Sequence, residues 1–207
     1  MTTSDRDRDA YRKEFSEISR PLIQELNALG YEINTVDDLR DLGRPWQSAL
    51  PVLLRWLPRV KHPGVKEAIV RDISVPWVGN RATPVLIDEF RKAQPGPGLA
   101  WAIGNALSIV GIEGFEHRII ELSKDRASGM ARQMIVLSLG RIHTPEAEDA
   151  AMEALEDETV KLHAIFALGD IGTARAIPKL EPFLTDKVSG CRKEAQKAIR
   201  KIKSKFR

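Results

Sequence analysis

The side chains in this sequence best suited to chemistry are one cysteine, four histidines and many carboxylates. Cys191 begins an expected helix beside Arg192 and Lys193, and a helix N-terminus with nearby cations can lower the pKa of a thiol. No series of histidines accompanies this cysteine as a general base. A packed, unreactive thiol is therefore the favoured interpretation, and we expect no catalytic residue in the chain.

The sequence does not support metal binding either. One cysteine excludes both an internal disulfide and a cysteine-based zinc site. The sequence has no P-loop, no GxGxxG after a strand, no HExxH and no GxSxG, and its carboxylates lie on amphipathic faces. We therefore expect no enzyme activity, no metal and no cofactor. The histidines fall at unrelated positions, with no pair spaced to bind a metal from one helix: His62, His117, His143 and His163.

The composition is that of a helical globular protein. The 207 residues are 43% hydrophobic, 29% charged and only 6% aromatic, and the apolar positions are mainly Ala, Leu and Ile. No apolar run approaches the roughly 20 residues that a membrane helix needs. The charged N-terminus does not look like a signal peptide. We therefore expect a cytoplasmic protein with no membrane partner.

A repeat with a fixed period decides the fold. The run Ser-Leu-Gly-Arg-Ile at 138–142 returns as Ala-Leu-Gly-Asp-Ile at 167–171, which is 29 positions later. Thr144 returns as Thr173 at the same distance of 29. Periods of this size are typical of stacked helix pairs, each of which buries its apolar face against its neighbours.

Apolar spacings of three and four residues predict five helix pairs after Trp46. In four of the second helices a single register holds small residues, which let neighbouring helices approach closely: Ala106, Ser138, Ala167 and Ala198. The predicted fold is all-α, a right-handed α-α superhelix that forms one continuous array at 47–207. Its pairs are 47–57 with 65–73, 84–91 with 99–110, 115–122 with 130–142, 145–155 with 160–171, and 176–184 with 189–202.

The first 46 residues do not follow this period and are predicted to form a helical cap at 1–46. Residues 5–29 are expected to be helical with a break or kink near 19–20, because Pro21 interrupts them. Thr35 and Asp38 resemble a capping box that opens a short helix, and 43–45 is expected to be a connector.

The second half of the sequence resembles a known repeat family. The runs at 167–172, 176–186 and 191–199 are similar to HEAT repeats, and most of all to the short HEAT-like repeats of the phycobilisome-lyase type. The resemblance is strong over 138–202, fair over 97–142 and loose over 47–80. It implies a binding scaffold without specifying a partner. It also implies structural bonds, within and between repeats, from turn aspartates to second-helix cations: Asp186 with Arg192, Asp125 with Arg132, and Asp157 with Lys161.

Second helices line the concave side of such arrays, so their outward positions are candidate contact residues. At about 100° per residue, the positions one and five before the small-residue column point partly away from the core. Large apolar side chains stand at several of them, which predicts a groove for a partner protein with lysines along its border. The alternative is that inter-repeat twist or the N-terminal helices bury these side chains. The candidates are Trp101, Asn105, Gln133, Leu137, Leu162, Phe166, Lys193 and Lys197.

A second aromatic cluster comprises Trp46, Trp56 and Trp77, close to several prolines and cations. Trp77 lies in an expected loop at 75–81. We favour a plug that covers the edge of the core over a binding anchor for an acidic partner.

Charge is unevenly distributed. Residues 187–207 carry nine Lys or Arg and one Glu, a balance of +8, whereas the whole chain carries +3. Such asymmetry can indicate contact with nucleic acid or with an acidic protein. We favour a simpler role, in which these cations complement the negative end of the last helix and solubilise the end of the array.

Three functions remain open from the sequence. The leading one is a non-catalytic scaffold or adaptor that holds a protein segment on its concave face, and a bacterial antidote-like inhibitor is one form of it. The second is nucleic-acid binding, as in HEAT-like DNA glycosylases, although the net negative charge of the chain outside residues 187–207 argues against it. Nucleic-acid binding would use the concave cations Arg132, Lys161, Lys193, Lys197 and Arg200. The third, an enzyme that assists bilin attachment, is suggested only by the name of the repeat type.

Overall fold

The computed structural model describes residues 3–42, 46–96 and 98–206, with side chains from residue 7 onward. Throughout these residues every regular element is helical. The connector expected at 43–45 lies outside the described residues. The α-helices are α1 (Thr3–Ala28), α2 (Asp38–Asp41), α3 (Leu50–Trp56), α4 (Pro63–Ile73), α5 (Thr83–Lys92), α6 (Leu99–Ile109), α7 (Glu116–Lys124), α8 (Arg132–Ser138), α9 (Pro145–Ala154), α10 (Lys161–Ile171), α11 (Ile177–Leu180) and α12 (Ser189–Lys205).

Five consecutive helix pairs, from α3 with α4 to α11 with α12, form an all-α solenoid. The predicted pairs are confirmed, and their ends differ by a few residues. Short 3-10 segments account for most of the differences, because they extend α3, α8 and α11 where the sequence predicts longer helices. These segments are Gln47–Ala49, Arg126–Ala131, Leu139–Arg141, Ala174–Ala176 and Glu181–Thr185.

The second helices form the more tightly packed layer. The contacts from α4 to α6, α6 to α8, α8 to α10 and α10 to α12 are extensive, whereas successive first helices contact each other more sparsely. In a curved stack the closer layer lies on the inside. The second helices are therefore the layer that would line the concave side, which is where the sequence predicts them.

Small residues set this close packing. Ala106, Ser138, Ala167 and Ala198 are all buried, as their shared register predicts. At Gly169 of α10, a Cβ atom would lie 2.9 Å from the Cβ of Ala198 on α12. That distance is shorter than a relaxed carbon–carbon contact. The two helices thus lie so close that glycine is needed at this point.

We expect Gly169→Ala to destabilise the array by about 1–2 kcal/mol, because overpacking outweighs the roughly 1 kcal/mol gained in helix propensity. The matched control is Gly190→Ala in α12, where a Cβ would meet Leu162 at an ordinary 3.7 Å. The control is expected to stabilise slightly. Urea unfolding of both variants measures the difference, and equal stabilisation of both would contradict the close-packing argument.

Of the break or kink expected near 19–20, the break is absent. α1 runs without interruption from Thr3 to Ala28 with Pro21 inside it. Pro21 and Glu17 are exposed, so water can satisfy the Glu17 carbonyl that has no N–H partner at Pro21. Leu22, directly after Pro21, and Leu26, one turn later, are fully buried and hold this helix on the core.

The N-terminal helix lies on the first pair of the array. α1 contacts α3 and α4, and the indole of Trp56 donates a 2.7 Å hydrogen bond to the Glu25 carboxylate, which also pairs with Arg55. These two hydrogen bonds lower the pKa of Glu25, with Trp56 as the larger cause. Only part of the expected capping box forms: Asp38 accepts bonds from the Thr35 amide at 2.9 Å and hydroxyl at 2.6 Å, but the N-cap of α2 is Asp37, whose side chain makes no capping bond. The division into 1–46 and 47–207 stays a prediction.

A buried carboxylate stands where α2 meets α4. Asp72 on α4 is fully buried, and neither of its oxygens has a hydrogen-bond partner among the described residues. The Nε atom of Arg40 on α2 lies 3.4 Å from its Oδ1. Burial raises the pKa of Asp72 to about 8 despite the charge of Arg40, and three aspartates of the same segment raise it further: Asp37, Asp38 and Asp41.

Asp72 makes stability depend on pH. Its pKa is about 8 in the folded protein, against an ordinary value of 3.8, so the folded state binds the extra proton between these two values. Stability is therefore greatest below about pH 4 for this group and falls as pH rises through 8, by at most about 1.4 kcal/mol per pH unit. Asp72→Asn removes this slope. Urea unfolding at pH 5, 7 and 9 compares the two proteins, and parallel pH profiles would contradict the assignment.

Candidate functional site

Cations at the start of the second helices reach into the next pair. Arg132, the first residue of α8, is 3% exposed and forms an ion pair with Asp157 in the turn of the fourth pair. The Nζ atom of Lys161, the first residue of α10, lies 2.8 Å from the Asp186 carboxylate in the turn of the fifth pair. Each of these pairs joins residues 25 positions apart. Both cations therefore connect neighbouring repeats.

The pKa shifts follow from these contacts. The hydrogen bond between Lys161 and Asp186 is the largest cause of both shifts, which raises the pKa of the lysine and lowers that of the carboxyl. Burial opposes ionisation of Asp157, but hydrogen bonds from Thr159 and the charge of Arg132 outweigh it, so the pKa is lowered. Lys161, Asp157 and Asp186 are thus held in their charged forms.

Two of the aspartate–cation pairs named from the family resemblance are wrong. Arg132 does not pair with Asp125, because that carboxylate accepts bonds in its own turn, from the Ser128 hydroxyl at 2.8 Å and from the backbone N–H of Ala127 at 3.1 Å. Lys161 does not pair with the carboxylate of Asp157, since that carboxylate binds Arg132.

The third pair named from the resemblance forms in a different way. The Nη1 atom of Arg192 donates to the backbone carbonyls of Asp186, at 2.6 Å, and Lys187, at 3.1 Å, rather than to the Asp186 carboxylate. That carboxylate is engaged by Lys161.

The link between repeats is testable. Arg132→Ala leaves Asp157 without its cation, and we expect a loss of about 3 kcal/mol, because breaking a buried pair leaves a poorly solvated charge. The control is Arg118→Ala, which removes the partner of Asp88 from a more exposed pair at 2.6 Å. That pair also joins two repeats, and we expect it to contribute about 0–1 kcal/mol. Urea unfolding gives both values, and equal losses would contradict a special role for Arg132.

The eight candidate contact residues occupy the outward side of α6, α8, α10 and α12. Every one of them is half-buried or exposed, whereas the small-residue column one position later is buried. α1 packs on α3 and α4, at the other end of the array. The half-buried candidates are Trp101, Asn105, Gln133, Leu137 and Leu162, and the exposed ones are Phe166, Lys193 and Lys197.

Between α10 and α12 the surface opens into a cleft of about 200 Å³, lined in part by Phe166 and Lys197. Phe166 is 39% exposed, which is unusual for a large aromatic side chain. Lys197 lies 2.6 Å from Glu194 on the same helix, and Lys201, one turn further along α12, lies 2.6 Å from Asp170 on α10. The cleft therefore presents an aromatic ring together with two ion pairs.

Toward the N-terminal ends of the second helices the surface is partly closed. Leu162 packs against the core beside Gly190, and its free apolar surface is correspondingly smaller. The side-chain amide of Gln133 donates a 3.0 Å hydrogen bond to the carbonyl of Thr159 in the next pair. These two residues therefore also join neighbouring repeats.

The cysteine and the histidines lie far apart in the sequence and play separate structural parts. Cys191 is buried, and burial raises the pKa of its thiol, with the charge of Asp186 adding to the effect. His62 caps α4 by accepting the N–H of Val65 at 3.3 Å. His163 is half-buried, which lowers its pKa. Across the part of the chain that the structure describes, no three His, Cys, Asp or Glu side chains group to hold a metal ion.

The tryptophan cluster lies at the start of the array, where Trp46 is buried and Trp77 is 38% exposed. The rings of Trp46 and Trp77 meet edge to face with centroids 4.7 Å apart. Arg81 stacks over Trp77 at 5.7 Å and donates a 2.9 Å bond to its carbonyl. Lys66 is not available to an acidic partner, because it pairs with the buried Glu89 of α5.

Sequence reasoning missed two features. Asp72 falls at an apolar position of α4, beside Ile69 and Ile73 at helical spacing, and a charge at such a position is a signal of unusual burial. The other is a cleft of about 610 Å³ on the first-helix layer, with Met152 and Phe183 among its apolar residues. Its residues come from two repeats with no shared motif, so no spacing in the sequence indicates it.

Comparison with known proteins agrees with this architecture. Residues 116–200 match the model of the family described as HEAT repeats. The match covers the third to fifth helix pairs and supports the HEAT-repeat family for that part of the chain. No curated protein matches the sequence. None of the described helices is both long and apolar enough to cross a membrane.

Proposed function

We propose that this protein is a non-catalytic interaction scaffold of the bacterial cytoplasm, which holds a segment of another protein against the second helices of its repeat array. The observation that carries the proposal is the row of half-buried and exposed apolar side chains along that layer. HEAT repeats are commonly protein-interaction scaffolds, and the match at 116–200 supports the same role here. The apolar residues of the row are Trp101, Leu137, Leu162 and Phe166.

The residues between and beside these side chains suit a peptide partner. Asn105 and Gln133 carry amides that can bond to an extended backbone or to polar side chains. Lys193 and Lys197 stand exposed on α12 at one border. An aromatic and aliphatic centre with a polar border is the arrangement that concentrates binding energy in protein interfaces. The partner segment in this proposal is therefore apolar at its centre.

Nucleic-acid binding, the second function considered, is less well supported. Two of the five cations that it would use, Arg132 and Lys161, are buried in ion pairs with carboxylates. Lys197 is paired with Glu194 as well. A protein that follows a phosphate backbone needs several free cations along the path. The apolar surface is the better basis for a function.

The test is a pull-down from native lysate, with and without nuclease, using wild type and Leu137→Asp/Phe166→Asp. We expect a protein band that survives nuclease and is lost in the variant, because two carboxylates would be desolvated in the interface. Leu184→Asp is the matched control, since Leu184 is 42% exposed and lies outside this surface.

The recovered protein is then titrated with the purified scaffold at two salt concentrations. We expect weak dependence on salt for an apolar interface, whereas phosphate contacts give a steep loss of affinity. Nucleic acid recovered equally by wild type and variant would overturn the proposal. So would a band retained by Leu137→Asp/Phe166→Asp.

A further inference from the structure

A second surface lies on the opposite, first-helix layer. An open cleft of about 610 Å³ runs between the C-terminal end of α9 and the segment of α11 with the 3-10 turn after it. Met152 and Phe183 are half-buried and pack against the core, Leu155 is buried, and Pro182 is exposed. A volume of this size lies in the range of clefts that bind small ligands, so it has room for a large side chain.

The charges around this cleft are mainly negative. Three carboxylates line it, those of Asp149, Glu153 and Glu156, against the single ammonium of Lys179. Asp149 pairs with Arg175 at 2.7 Å. Glu153 and Glu156 form no ion pair with any described residue. An apolar floor with unpaired carboxylates at its edge fits a basic segment that carries a large apolar side chain.

The chain itself carries such a segment at the C-terminal end of α12. Phe206, directly after the helix, is 64% exposed, the highest value among the exposed large hydrophobic residues of the described chain. Lys203 and Arg200 are exposed and make no ion pair within the described residues, and Lys205 is exposed as well. This end of α12 therefore has both the positive charge and the large apolar side chain that the cleft is suited to bind.

A molecule cannot fill its own cleft with this segment. α12 contacts the 3-10 turn Glu181–Thr185, which lines the cleft, and its 17 residues extend about 25 Å from Ser189. Its far end lies beside the end of α10, where Lys205 Nζ is 3.4 Å from the Asp170 carbonyl. The basic end and the acidic cleft thus lie at opposite ends of α12.

We propose that copies of this protein associate head to tail, with Phe206 of one copy in the Met152–Phe183 cleft of the next and its lysines beside Glu153 and Glu156. The two surfaces differ and lie at opposite ends of α12, so a head-to-tail contact that is not reciprocated between the same two copies is heterologous and extends to further copies. The second-helix surface proposed to bind a partner protein is not used. Association and partner binding are therefore separable by experiment.

Sedimentation velocity over a concentration series tests this proposal with the full chain. We expect the average sedimentation coefficient to rise with concentration at low salt and less so at high salt. Glu153→Lys/Glu156→Lys and, independently, Phe206→Asp are each expected to weaken association at least about tenfold. The matched control, Glu14→Lys/Glu17→Lys on the exposed face of α1, carries the same charge change and is expected to associate like wild type.

A charge-swap experiment makes the assignment specific. Lys203→Glu/Lys205→Glu alone is expected not to associate, because its end and its cleft are both acidic. Mixing it with Glu153→Lys/Glu156→Lys restores opposite charges at both contacts, and we expect hetero-association to return. Circular dichroism confirms that each variant is folded. Three results would overturn the proposal. The wild-type protein could stay monomeric at all concentrations, the cleft variants could leave association unaffected, or the mixture could fail to associate.

Discussion

The close approach of the second helices is the constraint on which the rest of this structure depends. Where Gly169 faces Ala198, the space between α10 and α12 does not admit one further methyl group. Gly140 shows the same crowding, since a Cβ there would lie 3.1 Å from the Cα of Ala167. Because one layer is pulled together more tightly than the other, the stack has an inside and an outside. The position of every candidate binding surface follows from that difference.

The buried charges add specificity to a contact that small apolar residues alone would leave free to slide. Arg132 and Lys161 each find a carboxylate one repeat further on, so the register between neighbouring pairs is fixed by pairs that can form in one arrangement. This use of the cations has a consequence for function. Charges that hold repeats together cannot also contact a ligand, so on α8 and α10 the candidate contact residues are uncharged, and the exposed lysines of this surface lie on α12.

The sequence predicted the architecture well and the contacts poorly. The helix pairs and the buried small-residue column followed from periodicity. Burial recurs every three or four residues along a helix, and each repeat packs against its neighbour in the same way. The outward placement of Phe166 followed from the same geometry. The partner of Arg132 did not, since its distance in sequence gives no reason to prefer Asp157 over Asp125. Nor could periodicity show that α1 continues through Pro21, because that depends on which side of the helix faces water.

The burial of the one cysteine has a further consequence. In an array whose repeats contact only their neighbours, one pair can separate from the next while the others stay folded. Cys191 lies at the start of α12 and is only 1% exposed. A thiol reagent therefore reaches it only when α12 separates from the helices packed against it. The rate at which this thiol is modified measures how often the fifth helix pair opens.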